Sequence, residues 1–227
     1  MDERTVRTAQ AAIVAIAPVA LAAALLTHPY LPGRMPNEAA IAAAVADDPT
    51  RWGLVHLATG FASGLLILAF LAVRSHLRDA GDDRRSAVGV PFIVIGSTLF
   101  TMLPAMEFAP LAVAVTGGSL SEIAAAQAAL AGWFVPVLAF GGATFAVGVV
   151  AFIRAITATG ILGRTRTAVV VAGLALLALS RFVPLAAVQF YVQSAAAIVA
   201  LWPLAHHLWQ HRAIGPARPA RDAAPAS

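Results

Sequence analysis

The side chains in this sequence that could do chemistry are the few polar ones that interrupt long apolar runs. His56 lies inside one such run, and Glu107 and Arg181 lie near the ends of two others. An ionisable group costs free energy inside a bilayer, so it is kept mostly where it pairs, lines a cavity or contacts a ligand. We therefore expect these three residues to mark a polar site within packed protein.

His56 lies on a helix face with two glycines. His56, Gly60 and Gly64 are four residues apart, which aligns them along one side of a helix. The two glycines form a small-xxx-small pattern that allows a second backbone to approach closely. We therefore expect His56 to face packed protein. It would either contact a ligand, proton or metal, or be satisfied by a neighbouring hydrogen bond.

Arg181 and Glu107 are predicted to lie at similar depth on the same side of the membrane. An arginine at the bilayer centre costs about 2.5–3.5 kcal/mol on insertion scales, and less near the interface. An ion pair with Glu107 would lower this cost, and so would extension of Arg181 to the headgroups. The sequence leaves both arrangements open, and an ion pair would either fix helices or line a pocket.

Gln189 and Gln193 lie four residues apart on the last apolar run. Buried amides need hydrogen-bond partners, so we expect them to bridge helices or to contact a ligand, with bridging preferred. His28 and Gln127 fall on the same side, which predicts an outward-facing polar cluster. The candidate ligand-binding residues are His56, Glu107, Arg181, Gln189 and Gln193.

Metal chemistry is a weaker alternative. Met102 and Met106 are four residues apart and, with His28 or His56, would suit Cu(I), although methionine at this spacing is more often packing. A b-type haem would need paired histidines at membrane depth, and only His56 is clearly there. His207 and His211 share a helix face and could chelate a metal. The histidines at 206, 207 and 211 are nevertheless interpreted as interfacial anchors. The sequence predicts no catalytic residue, no metal and no cofactor.

Composition excludes several kinds of chemistry. The chain has no cysteine, which excludes disulfides, thiolate metal sites and cysteine nucleophiles. All 15 Lys+Arg residues are arginine, so a lysine Schiff base is excluded as well. Arginines that sit between apolar runs indicate membrane orientation rather than nucleic-acid binding.

The elements that position these residues are predicted to be membrane-spanning helices. Hydrophobic residues make up 60% of the chain and charged ones 11%, whereas a soluble domain carries about 25% charge. A bilayer core needs about 20 helical residues. The sequence predicts an all-α, polytopic bundle of about six spans, and then a disordered cytoplasmic tail over 213–227. The six-span domain covers 1–212, with spans at about 9–27, 49–73, 86–106, 132–154, 167–183 and 184–208.

Local signals predict further helices and helix ends. An Ala-rich helix is expected over 37–46, and Asp48 followed by Pro49 is typical of a helix start. Ser119 and Glu122 form a capping-box pattern that opens another helix. The helix of the fourth span is expected to stop near Gly160. The first run could instead be a cleaved signal peptide, since residues 22–24 resemble a cleavage site, but its length favours an uncleaved span.

Arginine placement predicts the orientation. Twelve of the 15 arginines fall in segments on one side of the six-span map, and only Arg34, Arg51 and Arg181 fall on the other. The positive-inside rule makes the arginine-rich side cytoplasmic. We therefore expect both termini in the cytoplasm. The Ala-rich, lysine-free composition is typical of a GC-rich bacterial genome, so we expect the membrane to be a bacterial inner membrane.

Three weakly similar segments suggest an internal repeat. Arg-Thr/Ser-Ala occurs at 7–9, 85–87 and 166–168, each time before an apolar run. The pattern indicates a helical hairpin used three times, with short outer-side helices in the first two units. Chance similarity in an Ala-rich chain is the alternative.

These observations favour binding, with transport as an extension, of a small molecule or lipid through an outward-facing polar pocket. The main alternative is a non-catalytic accessory or scaffold subunit, and a metal- or haem-binding membrane protein is a third. The predicted partners are the lipid bilayer, a small-molecule or lipid ligand, and a membrane-protein partner or second copy. No nucleic acid is expected.

Overall fold

The computed structural model describes residues 2–211, and helices and turns account for all the regular structure in that range. The elements are α1 (Glu3–Leu26), α2 (Glu38–Asp47), α3 (Pro49–Asp79), α4 (Arg85–Met106), α5 (Phe108–Val115), α6 (Leu120–Thr159), α7 (Arg164–Leu179), a 3-10 turn (Ser180–Phe182) and α8 (Ala186–His211).

Within the described range, six helical segments are long and apolar enough to cross a membrane. They are α1, α3, α4 continued by α5, α6, α7 continued by the 3-10 turn, and α8. Large apolar side chains cover much of their outer surface, for example Phe61, Phe140 and Leu179. In a bilayer such a surface faces lipid, so the prediction of an all-α, multi-pass membrane protein is confirmed.

The long helices form a closed ring. α1 packs against α3 and α8, α4 packs against α3 and α6, and α7 packs against α6 and α8. Successive long helices run in opposite directions, so the ring has two distinct ends. The α3–α4 and α6–α7 connections lie at the arginine-rich end, where α1 begins and α8 ends. The helices α2 and α5, the start of α6 and the 3-10 turn lie at the other end, called the α2 end.

Glycine permits the closest helix contact in the ring, between α4 and α6. A Cβ atom on Gly96 would lie 2.5 Å from the backbone nitrogen of Phe145, and one on Gly148 would lie 2.8 Å from that of Ile93. The sequence pattern instead predicts close approach at Gly60 and Gly64. That prediction is wrong for Gly64, whose Cβ would meet nothing within 4 Å.

Several local predictions are confirmed. The side chain of Asp48 caps α3 by accepting a hydrogen bond from the Arg51 nitrogen over 2.9 Å. Ser119 and Glu122 form both bonds of the capping box that opens α6. Gly160 ends α6 with φ of 62°, a left-handed conformation that glycine adopts without strain.

Other boundaries differ from the predictions. The capping-box helix and the fourth span are one helix of 40 residues, α6, because Gly132 and Pro136 do not interrupt it. At 1.5 Å per residue it is about 60 Å long, so it extends past a bilayer core of roughly 30 Å and packs on α2 and α5. The short helix α5 has no counterpart among the predicted elements. The predicted tail lies outside the described residues.

The three predicted hairpins correspond to packed helix pairs, α1 with α3, α4 with α6, and α7 with α8. α2 follows α1, and α5 follows α4, at the same end of the ring. The third pair has only the 3-10 turn at that position. An origin of these pairs in one repeated unit stays a prediction.

Candidate functional site

A cavity of about 350 Å³ opens into the ring at the α2 end. Its walls are mostly apolar and come from the end of α1, the segment before α2, and the facing parts of α3, α4, α6, the 3-10 turn and α8. Four of the five candidate residues line it: His56, Glu107, Arg181 and Gln189. The ring therefore brings together side chains that lie up to 133 positions apart, from His56 to Gln189.

Arg181 is the cation of this cavity. The 3-10 turn carries its side chain into the ring, where only 3% of the residue surface is exposed. The guanidinium carbon lies 4.2 Å from the centre of the Phe100 ring and 3.6 Å from that of Phe145. The Nε and Nη1 atoms are buried without a hydrogen-bond partner. Extension of Arg181 to the headgroups, one of the two expected arrangements, is therefore wrong.

The other expected arrangement, an Arg181–Glu107 ion pair, is also absent within residues 2–211. Glu107 instead pairs with Gln127, whose Nε2 donates to Oε1 over 3.0 Å. Its Oε2 atom is buried without a partner. The indole Nε1 of Trp52 donates to the Glu107 backbone oxygen over 3.2 Å, which fixes the α4–α5 connection against α3.

His56 meets a second histidine at the cavity wall. Its Nδ1 atom faces the backbone oxygen of Trp52 at 2.6 Å, and its Nε2 atom lies 3.4 Å from Nε2 of His28. His28, just after α1, faces the Pro29 oxygen through its own Nδ1 atom at 2.8 Å. Burial lowers the pKa of His28; the Pro29 carbonyl opposes this effect, and the charge of Arg51 adds to it.

The two glutamines have different surroundings. Nε2 of Gln189 donates to the backbone oxygen of Arg181 over 3.3 Å, and so ties α8 to the 3-10 turn. Gln193 is 1% exposed, and neither of its side-chain polar atoms has a partner. It does not line the cavity. The preferred expectation that both amides bridge helices thus fits Gln189 and not Gln193.

Aromatic residues complete the site in a way that sequence reasoning missed. Phe100 and Phe145 contact the Arg181 guanidinium, and Trp52 packs against His56 with 4.5 Å between ring centroids. Phenylalanine in an apolar helix can face either lipid or the protein core. The sequence alone therefore does not predict which phenylalanines contact the site. Tryptophan is typical of the membrane interface, yet Trp52 is 1% exposed.

The remaining metal candidates do not join this site. Met102 and Met106 do not line the cavity, and Met102 is 43% exposed. His207 and His211 lie at the arginine-rich end beside His76, with ring centroids 4.1–6.2 Å apart. In the described part of the chain, no group of three or more His, Asp or Glu side chains is arranged to hold a metal ion.

The cavity borders the lipid-facing surface. Two of its lining residues, Val135 of α6 and Phe182 of the 3-10 turn, are 52% and 48% exposed. These two residues therefore contribute both to the cavity wall and to the outer surface of the ring.

The fold and the site together define a multi-pass helical membrane protein with an apolar cavity at one end that carries a few polar groups. Comparisons with protein-family models, with curated proteins and with solved structures found no match.

Proposed function

We propose that this protein binds an amphipathic organic anion, such as a lipid or fatty acid, in the cavity at the α2 end. The proposal rests on the position of the Arg181 guanidinium. It lies at the wall of an apolar cavity, and no acidic oxygen of the described residues lies within 4.0 Å of it.

The electrostatics of Arg181 favour an acidic ligand. Burying an unpaired ion costs several kcal/mol even after relaxation. Each of the two aromatic contacts stabilises the Arg181 guanidinium by about 0.5–2 kcal/mol, which offsets only part of that cost. A carboxylate or phosphate at the guanidinium would supply the missing acceptors through charge-assisted hydrogen bonds. The acidic group of such a ligand would pair with Arg181, the side chain of the cavity that lacks the most hydrogen-bond partners.

The cavity walls favour an apolar body attached to that acidic group. A volume of about 350 Å³ is at the lower end of the usual range for small-molecule pockets, about 300–1,000 Å³. Leu25, Leu103, Phe134, Leu138 and Phe190 supply apolar walls. The unpartnered Oε2 atom of Glu107 would accept a hydrogen bond from a hydroxyl or ammonium group on the same molecule.

Orientation and transport are the finer parts of the proposal. We infer that the arginine-rich end is cytoplasmic and that the cavity opens towards the outer leaflet of a bacterial inner membrane. A cysteine placed at Asp83 should then resist an impermeant thiol reagent in intact cells, and one at Gly117 should react. Transport would further require the packed core beneath the cavity, which includes Leu66, Phe152 and Leu174, to open.

A ligand series tests binding. The full chain in lipid nanodiscs is titrated with cis-parinaric acid, a fluorescent long-chain carboxylate, and with its methyl ester. Arg181→Met should weaken binding of the acid at least tenfold and leave binding of the ester unchanged. Dodecyl phosphate and dodecanoate as competitors distinguish a phosphate from a carboxylate headgroup.

Arg34→Met is the matched control, because Arg34 is an exposed arginine at the same end of the ring and does not line the cavity. It should change the affinity for the acid less than twofold. Equal affinity of the wild type for acid and ester would overturn the proposal.

The accessory-subunit alternative has one observation in its favour. Gly64 and the exposed Phe61 of α3 face open space rather than another helix of the ring. If Gly64→Leu releases a constant membrane partner in pull-downs, while no acid binds at Arg181, this alternative replaces ligand binding.

A further inference from the structure

Glu107 presents a second unsatisfied polar group to the cavity that contains Arg181. The residue is 7% exposed and lines the cavity. Its Oε1 atom accepts a hydrogen bond from Gln127, but its Oε2 atom is buried without a partner. A buried carboxylate oxygen without a donor is unfavourable, because it has lost its water and gained nothing in return. The cavity therefore lacks a donor at Glu107 as well as an acceptor at Arg181.

Two neighbours hold the Glu107 carboxyl in place. Gln127 of α6 fixes Oε1 over 3.0 Å, and the indole of Trp52 holds the backbone oxygen of Glu107 over 3.2 Å. No arginine or histidine nitrogen in residues 2–211 lies within 4.0 Å of the carboxyl. The Oε2 atom is thus oriented by the protein while its own hydrogen-bonding capacity stays unused.

Arg181 and Glu107 lie at different levels along α4. The Arg181 guanidinium lies over the ring of Phe100, and Glu107 caps α4 seven residues later. Seven residues make two helical turns, so Phe100 and Glu107 share a face and lie about 10 Å apart along the helix axis. Leu103 and Pro104 line the cavity between these two levels. A cation and a carboxyl are therefore separated by an apolar stretch of wall.

This separation complements a molecule with opposite charges at the two ends of an apolar chain. We propose that the ligand of the cavity is an amphipathic zwitterion, whose acidic group binds Arg181 and whose terminal ammonium group donates to Oε2 of Glu107. The inference rests on the proposed function, because it requires an acidic group at Arg181. It adds the second charge of the ligand and the distance between the two charges.

An ammonium group suits Glu107 better than a hydroxyl group does. Either group would donate a hydrogen bond to Oε2, but only the ammonium neutralises a carboxylate, and a buried charge is costly unless it is paired. Charge-assisted hydrogen bonds are also the stronger kind. A ligand with an acidic group alone would leave Glu107 unsatisfied and would bring a second negative charge into the same apolar cavity.

Four ligands test the proposal on the unchanged chain, so the result does not depend on how well a variant folds. Octanoate, 8-aminooctanoate, 8-hydroxyoctanoate and 2-aminooctanoate compete with cis-parinaric acid for the full chain in nanodiscs. We expect 8-aminooctanoate to bind at least tenfold more tightly than octanoate. Its isomer 2-aminooctanoate, which carries both charges at one end, should bind at least tenfold more weakly than 8-aminooctanoate. Equal binding of the two isomers, or of the hydroxy and amino acids, would overturn the proposal.

Glu107→Gln tests the residue, since the amide can keep the bond with Gln127 but carries no charge. The readout is the ratio of the affinities for 8-aminooctanoate and octanoate within each variant. We expect Glu107→Gln to reduce this ratio to less than twofold. Asp47→Asn is the matched control, because Asp47 is an exposed acid at the same end of the ring and does not line the cavity; it should keep the wild-type ratio. A full ratio in Glu107→Gln would contradict the assignment of the ammonium to Glu107.

The same measurements separate this inference from the proposed function. If octanoate binds and Arg181→Met weakens it, while the terminal amino group adds nothing, the zwitterion is overturned and binding of an acid at Arg181 stands. If binding of cis-parinaric acid and octanoate does not depend on Arg181, both proposals are overturned.

Discussion

Gln127 donates a hydrogen bond from Nε2 to Oε1 of Glu107 over 3.0 Å, and both residues are buried. The bond joins the extended first part of α6 to the α4–α5 connection. It is the only side-chain hydrogen bond that the Glu107 carboxyl makes within residues 2–211. The α2 end of the ring is therefore held partly by a polar contact in an otherwise apolar setting.

Replacing Gln127 by leucine should destabilise the protein. The change leaves the whole Glu107 carboxyl buried without a partner, and an orphaned buried polar group costs about 1–3 kcal/mol. We expect a lower midpoint of thermal unfolding in detergent. Gln210→Leu, on an exposed position of α8, is the control and should shift the midpoint very little. Equal midpoints for the two variants would show that the Gln127–Glu107 bond contributes nothing.

Arg181→Met should have the opposite effect on stability. The guanidinium has two buried nitrogens without hydrogen-bond partners, and its desolvation costs several kcal/mol. This cost exceeds the stabilisation of about 0.5–2 kcal/mol that each of the two cation–π contacts contributes. An apolar side chain of similar length removes that cost. We expect a higher midpoint of thermal unfolding for the ligand-free variant. A lower midpoint would mean that Arg181 stabilises the ring instead of leaving a site for an anion.

The sequence was sufficient to predict most of the fold because the membrane imposes strong rules. A bilayer demands helices of a minimum length, and arginine does not cross it readily, so spans and their order follow from composition. The ends of α3 and α6 follow from Asp48, Ser119 and Gly160, whose side-chain and backbone preferences act locally. The continuity of α6 was missed because Gly132 and Pro136 weaken a helix without always ending it.

The sequence could predict that four of the five candidate residues lie together, but it could not predict their contacts. Polar residues inside apolar runs had to turn towards the protein, which brought His56, Glu107, Arg181 and Gln189 to one cavity. The pairing of these side chains depends on how the ring of helices closes. No local sequence pattern predicts how the ring closes. Glu107 pairs with Gln127 rather than Arg181 because α6 extends past the membrane and reaches the α4–α5 connection.

The glycine contact between α4 and α6 gives a further prediction. A methyl group at Gly96 would lie within 2.5 Å of the Phe145 backbone, so Gly96→Ala must push the helices apart. Overpacking of this kind costs about 1–3 kcal/mol, and it would also move Phe145 away from Arg181. We expect reduced thermal stability, measured by intrinsic tryptophan fluorescence on heating.

Gly64→Ala is the matched control for Gly96→Ala. A Cβ atom at Gly64 would meet nothing within 4 Å, and alanine favours helix more than glycine does. The change should therefore be neutral or slightly stabilising. A loss of stability at Gly64 as large as that at Gly96 would indicate that α3 packs against a second chain in the sample.

Asp82 holds the start of α4 at the arginine-rich end. Its carboxyl accepts hydrogen bonds from the backbone nitrogens of Arg85, at 3.2 Å, and of Ser86, at 2.8 Å. Loss of such a cap costs about 0.5–2 kcal/mol. Asp82→Ala should therefore lower the midpoint of thermal unfolding at neutral pH. Asp83→Ala, the exposed neighbouring position, should not.

The contribution of Asp82 should also depend on pH. Burial alone would raise the pKa of Asp82, but the hydrogen bonds from Ser86 and Arg85 and the charge of Arg85 outweigh it and hold the pKa below its usual value. The folded state thus binds the proton less readily than the unfolded state, where the pKa is about 3.9. The stabilisation is complete above that value and is lost as the pH falls through the lower, folded-state pKa. The difference in stability between wild type and Asp82→Ala should be constant from neutral pH to about pH 5 and should shrink in stronger acid. A difference that grows on acidification would mean that the Asp82 carboxyl is held in its protonated form.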